Sequence, residues 1–219
     1  MKLTVCSVPE TIPNEQELVS ELFRAGLTSF HLRKPKFSKD TMRNWLQQLT
    51  TVEQQQVVLH SHWDLADEFE LKGLHFGASI LKQMKLEEHR QWLSYAKQQK
   101  LTISSSVHDQ QEIDRLPLGL DYVWLSPVFE SISKEGYAST YSTSQFDNWV
   151  KELKEQKQTQ VFALGGVNVQ HIEELTLRGF DGAVVLGAIW TGIEGLKDKE
   201  LVKQRIQQLI ASCNTIPTS

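Results

Sequence analysis

The 219-residue sequence predicts a single-domain α/β protein with the (β/α)8 TIM-barrel fold. Short apolar runs alternate with longer amphipathic stretches, the alternation occurs eight times, and the runs begin roughly 25 residues apart. Such alternation indicates parallel strands joined by right-handed crossovers, and eight units in a chain of this length close into a barrel with little decoration. The alternative is a doubly wound open sheet. That fold requires a glycine-rich turn after the first strand, where this chain has Pro9, Glu10 and Thr11.

The predicted strands are short and rich in β-branched or aromatic residues, and several of them end in Gly, Ser or His. In chain order they cover residues 3–8, 27–33, 56–60, 73–77, 101–107, 122–126, 160–165 and 182–187.

The predicted helices show apolar residues at helical spacing, as with Leu18 and Leu22 in the first helix. Ser38 and Asn168 are suited to cap helix N-termini, and Gly179 to end a helix. We expect the barrel to span residues 1–213 and a frayed tail without periodic pattern to follow at 214–219. The helices are predicted at 14–25, 38–49, 64–71, 86–100, 109–115, 144–157, 168–178 and 201–213.

Composition and charge exclude several classes of protein. The chain is 40% hydrophobic and 23% charged with a net charge of -4, which is ordinary globular usage and argues against binding nucleic acid or an anionic membrane. Cys6 and Cys213, near opposite ends, form neither a disulfide framework nor a metal spacing. The N-terminus lacks the pattern of a secretory signal, and no apolar run approaches the roughly 20 residues of a membrane span. We therefore expect a cytoplasmic protein.

Polar side chains gather at the carboxyl ends of the predicted strands, where barrels carry their active sites. Any one histidine among them is as easily a hydrogen-bonded structural residue as a functional one. Five of the seven histidines fall on or just after strands, however, which favours a shared pocket. The residues are His31, Arg33, His60, His62, His75, Ser106, His108 and Ser126.

Two glycine-bearing strand ends predict a phosphate site. Gly165 and Gly166 follow the seventh strand, and Leu186 and Gly187 end the eighth. Glycine lets backbone N–H groups approach an anion, and barrels often hold phosphate in these two loops. The alternative is that the glycines serve only tight turns.

The connection 127–143 after the sixth strand is far longer than an ordinary βα loop, so we expect it to cover the substrate as a lid.

A series of short motifs in a shared order resembles the thiamine phosphate synthases and the TenI-type thiazole tautomerases over nearly the whole chain. The motifs are His31-Leu32-Arg33, Asp64-Leu65-Ala66, Gly73-Leu74-His75-Phe76-Gly77, Ser106-Val107-His108, Asp121-Tyr122-Val123, Ser126-Pro127-Val128-Phe129, Ser131-Ile132-Ser133-Lys134, Ala163-Leu164-Gly165-Gly166-Val167 and Asp181-Gly182-Ala183-Val184-Val185.

The chain departs from the synthases at the positions that the resemblance assigns to magnesium pyrophosphate. Synthases have Asn-Asp shortly before Asp-Leu-Ala and another Asp after the strand-four Gly, whereas this chain has His60-Ser61 and then Ile80. The family's Arg-x-Lys pattern on strand two also ends in Pro35 here. Both magnesium carboxylates are missing, and magnesium prefers carboxylate oxygens. The thiazole-phosphate half is retained, because Ser131, Ser133 and Lys134 match the family's hydroxyl-hydroxyl-Lys run.

The resemblance to the tautomerases implies proton transfer without a metal or cofactor. Those enzymes keep the thiazole-phosphate pocket and use a strand-five histidine as acid and base, the position of His108 here. Ser106 is then suited to orient the substrate, Arg33 to face its carboxylate and Lys134 to neutralise its phosphate. The Ser-x-His motif also occurs in synthases, so His108 alone does not discriminate.

Two alternatives stay open at this stage. One is a synthase with an altered metal site, using magnesium or recruiting His60 or His62 for a metal that favours imidazole. The other is a binding protein without turnover that senses a thiamine intermediate or docks on a thiazole synthase. Self-association is possible under each. Further substrate contacts are expected from His31, His60, His75 and Ser126.

Overall fold

The computed structural model describes residues 1–129 and 141–215. Within them, eight parallel strands close into a barrel in chain order, and the last pairs with the first. The predicted fold is confirmed. The strands are β1 (Lys2–Cys6), β2 (Phe30–Leu32), β3 (Val57–Leu59), β4 (Gly73–Phe76), β5 (Thr102–Val107), β6 (Tyr122–Leu125), β7 (Gln160–Ala163) and β8 (Gly182–Val185).

Helices surround the barrel and cover the outward faces of its strands. Three short 3-10 helices occur among them at Trp63–Asp67, Val169–His171 and Leu196–Asp198. In the described ranges the α-helices are α1 (Glu15–Arg24), α2 (Lys39–Leu46), α3 (Thr51–Gln54), α4 (Ala78–Gln83), α5 (Leu86–Gln99), α6 (Gln110–Arg115), α7 (Thr143–Gln156), α8 (Ile172–Leu177), α9 (Gly187–Trp190) and α10 (Lys199–Asn214).

Several elements differ from the prediction for local reasons. The helix predicted at 64–71 is the 3-10 helix Trp63–Asp67, and the one predicted at 168–178 divides into a 3-10 turn and α8. Helices α3, α4 and α9 were not predicted, because about one turn of helix is too short to show a period. Seven of the eight strands end one or two residues earlier than predicted, so Arg33, His60 and Ser126 lie just beyond their strands.

The three residues predicted to begin or end helices are confirmed in that role. The Ser38 hydroxyl accepts a hydrogen bond from the Thr41 backbone N–H, and the Asn168 side chain accepts one from the Gln170 N–H. Gly179 follows α8 with a φ of +82°, the left-handed conformation that closes a helix at little cost for glycine.

The interior of the barrel has an apolar wall and a polar wall. Strands β6, β7, β8 and β1 contribute an apolar cluster of Tyr122, Trp124, Phe162, Val184 and Cys6. Strands β2 to β5 contribute the polar residues to the same interior. They are His31, His60, His75, Ser104 and Ser106. Because alternate strand residues face opposite sides, the neighbours of both sets pack outward against the helices.

The C-terminal helix closes the barrel against its first strand. Helix α10 reaches Asn214, and the N-terminal ammonium of Met1 donates to the Cys213 carbonyl at 3.1 Å. The tail predicted at 214–219 lies mostly outside the described residues, so its fraying stays a prediction. No helix in ranges 1–129 and 141–215 combines the length and apolarity that crossing a membrane requires.

Candidate active site

A chain of hydrogen bonds runs through the polar wall of the barrel. His31 Nδ1 lies 2.9 Å from His60 Nε2, and His31 Nε2 lies 2.8 Å from the Tyr122 hydroxyl. His75 is held between two serines of β5, with Nδ1 and Nε2 each 2.9 Å from the hydroxyls of Ser104 and Ser106. His31, His60 and His75, which were expected to contact the substrate, therefore lie together in the barrel interior.

The three histidines form a compact cluster against one indole. The rings of His60 and His75 stack with centroids 4.2 Å apart. The Trp124 ring lies 4.4, 5.3 and 4.3 Å from His31, His60 and His75. We call His31, His60 and His75 the histidine cluster.

Burial keeps the histidine cluster uncharged. Loss of solvation lowers the pKa of His31 and of His60 well below the ordinary value, with charge on His75 as the next cause. Loss of solvation also lowers the pKa of His75 to about 3, and the nearby positive charge of Arg33 adds to the effect. Each imidazole therefore presents one nitrogen lone pair at neutral pH.

Trp124 carries an unsatisfied donor beside this cluster. The residue is 2% exposed, and its indole N–H has no acceptor in the part of the chain described. Leaving such a donor unpaired costs about 1–3 kcal/mol. An acceptor from a ligand or from water would remove that penalty. Tyr122 and Trp124 belong to the apolar cluster, yet both also touch the polar wall.

His108 lies above this layer, one residue beyond the end of β5. Its Nδ1 is 3.0 Å from both the backbone carbonyl and the hydroxyl of Ser126. A carbonyl only accepts, so this contact favours the tautomer with the proton on Nδ1. The exposed ring then offers Nε2 as a base. Ser126, predicted as a substrate contact, acts here as the partner that orients His108.

Arg33 is a positively charged residue at the mouth of the barrel, the opening at the carboxyl ends of the strands. Its backbone is fixed to β1, because its N–H donates to the Ser7 hydroxyl at 2.8 Å and its carbonyl accepts from that hydroxyl at 3.2 Å. The exposed guanidinium has no ion pair with residues 1–129 or 141–215. Its charge nevertheless reaches the His75 ring, as the pKa of His75 shows.

Lys34 does not replace the lysine that Pro35 displaces. It is 1% exposed and lies in an ion pair, with Nζ 2.7 Å from a Glu15 carboxylate oxygen. The same ammonium donates to the carbonyls of Val8 and Glu10 at 2.8 and 2.6 Å. Lys34 therefore joins the β1–α1 connection to β2 and is unavailable to a ligand.

The glycine turns have the geometry of an anion cradle. Gly165 and Gly166 have φ values of +97° and +64°, and their N–H groups donate to no acceptor among the described residues. Gly187 is the first residue of α9, so its N–H has no intrahelical partner, and Leu186 precedes it. Gly165 also serves close packing, because a Cβ there would lie 2.7 Å from Pro127 Cα. Phosphate binding at these turns stays a prediction.

The remaining residues predicted for the site are the three lid residues and His62. Ser131, Ser133 and Lys134 lie outside the described residues, with most of the lid predicted at 127–143. His62 is directed away from the histidine cluster. Its Nε2 lies 2.8 Å from the Phe37 carbonyl.

The donor set at the mouth does not fit a magnesium pyrophosphate site. Ile80 and Ser61 occupy the two positions where the family has magnesium-binding carboxylates. Ile80 packs against the hydrophobic core. In ranges 1–129 and 141–215, the one group of three or more His, Cys, Asp or Glu residues close enough to share an ion is the histidine cluster. Magnesium takes oxygen ligands and imidazole suits other metals, so this donor set does not suit magnesium.

A second cavity lies at the opposite, amino-terminal end of the barrel. It measures about 480 Å³ and is lined by Lys2, Lys72 and Thr102, among others. Barrel enzymes carry their chemistry at the carboxyl ends of the strands, so this cavity is not the candidate active site.

Fold and site together define a (β/α)8 barrel with a cluster of histidines towards the carboxyl ends of its strands. The sequence model of the family described as thiamine monophosphate synthase matches residues 5–189. The chain belongs to this family.

Relatives and solved structures agree with that family. The thiamine-phosphate synthase of Latilactobacillus sakei is 27% identical over 181 residues, which cover 78% of this chain and 76% of the relative. That of Oceanobacillus iheyensis is 26% identical over 182 residues, covering 80% and 82%. The crystal structure of a thiamine phosphate pyrophosphorylase from Bacteroides thetaiotaomicron matches with a TM-score of 0.79 at 27% identity, covering 100% of both chains.

Proposed function

We propose that the chain is a thiamine-biosynthesis enzyme that binds a thiazole phosphate at the barrel mouth and moves a proton on its ring, as TenI-type tautomerases do. The proposal rests on which side chains are present at the barrel mouth. The chain keeps an oriented strand-end histidine, whereas Ser61 and Ile80 stand where synthases hold magnesium.

His108 acts as the proton carrier. Its Nε2 removes a proton from the sp3 ring carbon of the non-aromatic thiazole carboxylate and returns one to the carbon outside the ring whose double bond moves into it, so the reaction is a balanced isomerisation to the aromatic ring. The Ser126 carbonyl accepts from Nδ1–H and stabilises the imidazolium that forms between the two transfers.

The remaining residues position the substrate. The Arg33 guanidinium is suited to a bidentate contact with the substrate carboxylate. The N–H groups of Gly165, Gly166 and Gly187 are suited to its phosphate. Within this proposal, Lys134 and the hydroxyls of Ser131 and Ser133 complete the phosphate contacts from the lid.

A thiamine phosphate synthase with an altered metal site is the second candidate. The curated relatives described above are named thiamine-phosphate synthases, and by name they favour this activity over the tautomerase. The synthase would join a pyrimidine pyrophosphate to the same thiazole phosphate, so both candidates share one half of the site.

Two parallel assays on one preparation separate the candidates. Ultraviolet absorption follows aromatisation of the thiazole carboxylate phosphate tautomer, and chromatography follows thiamine phosphate formed from the two halves with magnesium or another divalent metal. We expect aromatisation well above the buffer rate and no thiamine phosphate. Thiamine phosphate formation without aromatisation would establish the synthase instead. Calorimetric binding of thiazole phosphate with neither reaction would identify a binding protein.

A further inference from the structure

We propose that His31, His60 and His75 form a three-imidazole site for a transition-metal ion of the zinc or cobalt class. The site is distinct from the magnesium site that the family implies, and it does not depend on the proposed proton transfer. One nitrogen from each residue lies within 4.8 Å of the other two. His31 and His75 lie on β2 and β4, and His60 directly follows β3.

The distances are compatible with a tetrahedral ion. Zinc binds imidazole nitrogen at about 2.0–2.1 Å, which places two ligand nitrogens about 3.3 Å apart. His31 Nδ1 and His60 Nε2 are 2.9 Å apart, so this pair needs to open by only a few tenths of an ångström. The third nitrogen, from His75, lies within 4.8 Å of the other two, so this ring must move closer to share the ion.

Binding of an ion requires a change of tautomer at the His31–His60 pair. In the metal-free chain one proton lies between His31 Nδ1 and His60 Nε2, and an ion bound by both nitrogens would displace it. With the His31 proton on Nε2, the Tyr122 hydroxyl oxygen accepts it at 2.8 Å.

Outer hydrogen bonds orient the rings as they do around known metal sites. Tyr122 holds the far nitrogen of His31, and whichever His75 nitrogen turns from the ion keeps Ser104 or Ser106. Three protein ligands leave a fourth position open for water or substrate, the pattern of a catalytic rather than a structural site.

Cobalt and zinc titration of the chelator-treated wild-type chain tests the site. We expect one cobalt ion per chain with the intense visible bands of tetrahedral nitrogen coordination, displaced by one zinc ion. Zinc should also raise the melting temperature in a concentration-dependent way, because an ion that binds the folded state stabilises it.

Matched histidine variants locate the ion. Outer-shell changes cost about 10–100-fold in affinity, so we expect a loss in that range from Tyr122→Phe and a larger one from His60→Asn. His62→Gln is the control, since His62 binds the Phe37 carbonyl outside the cluster, and it should leave affinity unchanged. Circular dichroism establishes that each variant is folded.

Three results would overturn the proposal. They are the absence of saturable binding to the wild-type chain, an octahedral cobalt spectrum, and an affinity in His60→Asn equal to that of wild type. The first two need no variant, so the test stands even if a substitution prevents folding.

Discussion

The chemistry of single residues at the mouth follows from where each imidazole sits. The histidine cluster is buried and neutral, whereas His108 is exposed and tied by one nitrogen to Ser126. The sequence placed all four at strand ends. The family resemblance gave His108 the catalytic role, but the sequence did not show that the other three lie buried together, because burial and hydrogen-bond partners depend on the closed barrel.

The stability of the metal-free chain should fall in mild acid because of His75. The pKa of its imidazole is 6.5 when exposed and about 3 when folded, so below pH 6.5 the unfolded chain binds a proton that the folded chain refuses. The free energy of unfolding is therefore highest above pH 6.5 and falls progressively as the pH drops towards 3. Protonation of His75 alone should lower it by about 2 kcal/mol between pH 6.5 and 5.

Urea denaturation across this pH range measures the effect. We expect a shallower pH dependence for His75→Gln, while the control His62→Gln keeps the wild-type slope. Equal slopes in His75→Gln and wild type would contradict the assignment.

Alanine should destabilise the protein more at Gly165 than at another glycine with a similar backbone conformation. Its φ of +97° is unfavourable for alanine, and the new Cβ would lie 2.7 Å from Pro127 Cα. We expect Gly165→Ala to lower the free energy of unfolding by about 2–5 kcal/mol. Gly192, with a φ of +75° and open space around the position of a Cβ, is the control. We expect Gly192→Ala to lower the free energy of unfolding by about 1–2 kcal/mol. Equal losses, measured in urea, would show that contact with Pro127 is unimportant.

At the scale of elements, a buried ion pair fixes how the first two units of the barrel meet. Lys34, just beyond β2, pairs with Glu15 at the start of α1, and the Trp45 indole of α2 donates to the same carboxylate at 3.2 Å. Burial raises the pKa of Glu15, while the Lys34 charge opposes that rise. The pair links β2, α1 and α2 around one carboxylate.

Removing the lysine should therefore destabilise the fold rather than weaken an anion site. Lys34→Met leaves Glu15 buried without its partner, and we expect a loss of about 3–5 kcal/mol in the free energy of unfolding. The exposed Lys36 is the control, and Lys36→Met should change stability by less than about 0.5 kcal/mol. Adding Glu15→Gln to Lys34→Met should recover part of the loss. A Lys34→Met chain of wild-type stability would contradict this account.

Sequence reasoning succeeded for elements whose signal is local and failed where tertiary contacts decide. The caps at Ser38 and Asn168 depend on residues two or three positions away, and both were predicted. The roles of Lys34 and His62 were not. Lys34 pairs across 19 positions, and a left-handed backbone at His62, with a φ of +53°, accompanies its contact with Phe37.

At the scale of the whole molecule, the division of the barrel interior into two walls is what concentrates the chemistry. The strand-helix alternation predicted the barrel itself, because eight parallel units of this length have few other ways to bury their apolar faces. The sequence does not reveal that β2 to β5 supply the polar wall as a block. That arrangement emerges only when alternate residues of neighbouring strands are brought to one face.

The central claim is that His108 carries a proton on a bound thiazole phosphate. The most direct test compares the rate of aromatisation of the thiazole carboxylate phosphate tautomer by wild type and by His108→Asn, both shown to be folded. General acid–base catalysis contributes about 10²–10⁴-fold, so the account predicts a loss of that size with thiazole phosphate binding retained. A His108→Asn enzyme that keeps the wild-type rate, or a wild-type chain no faster than buffer, would contradict it.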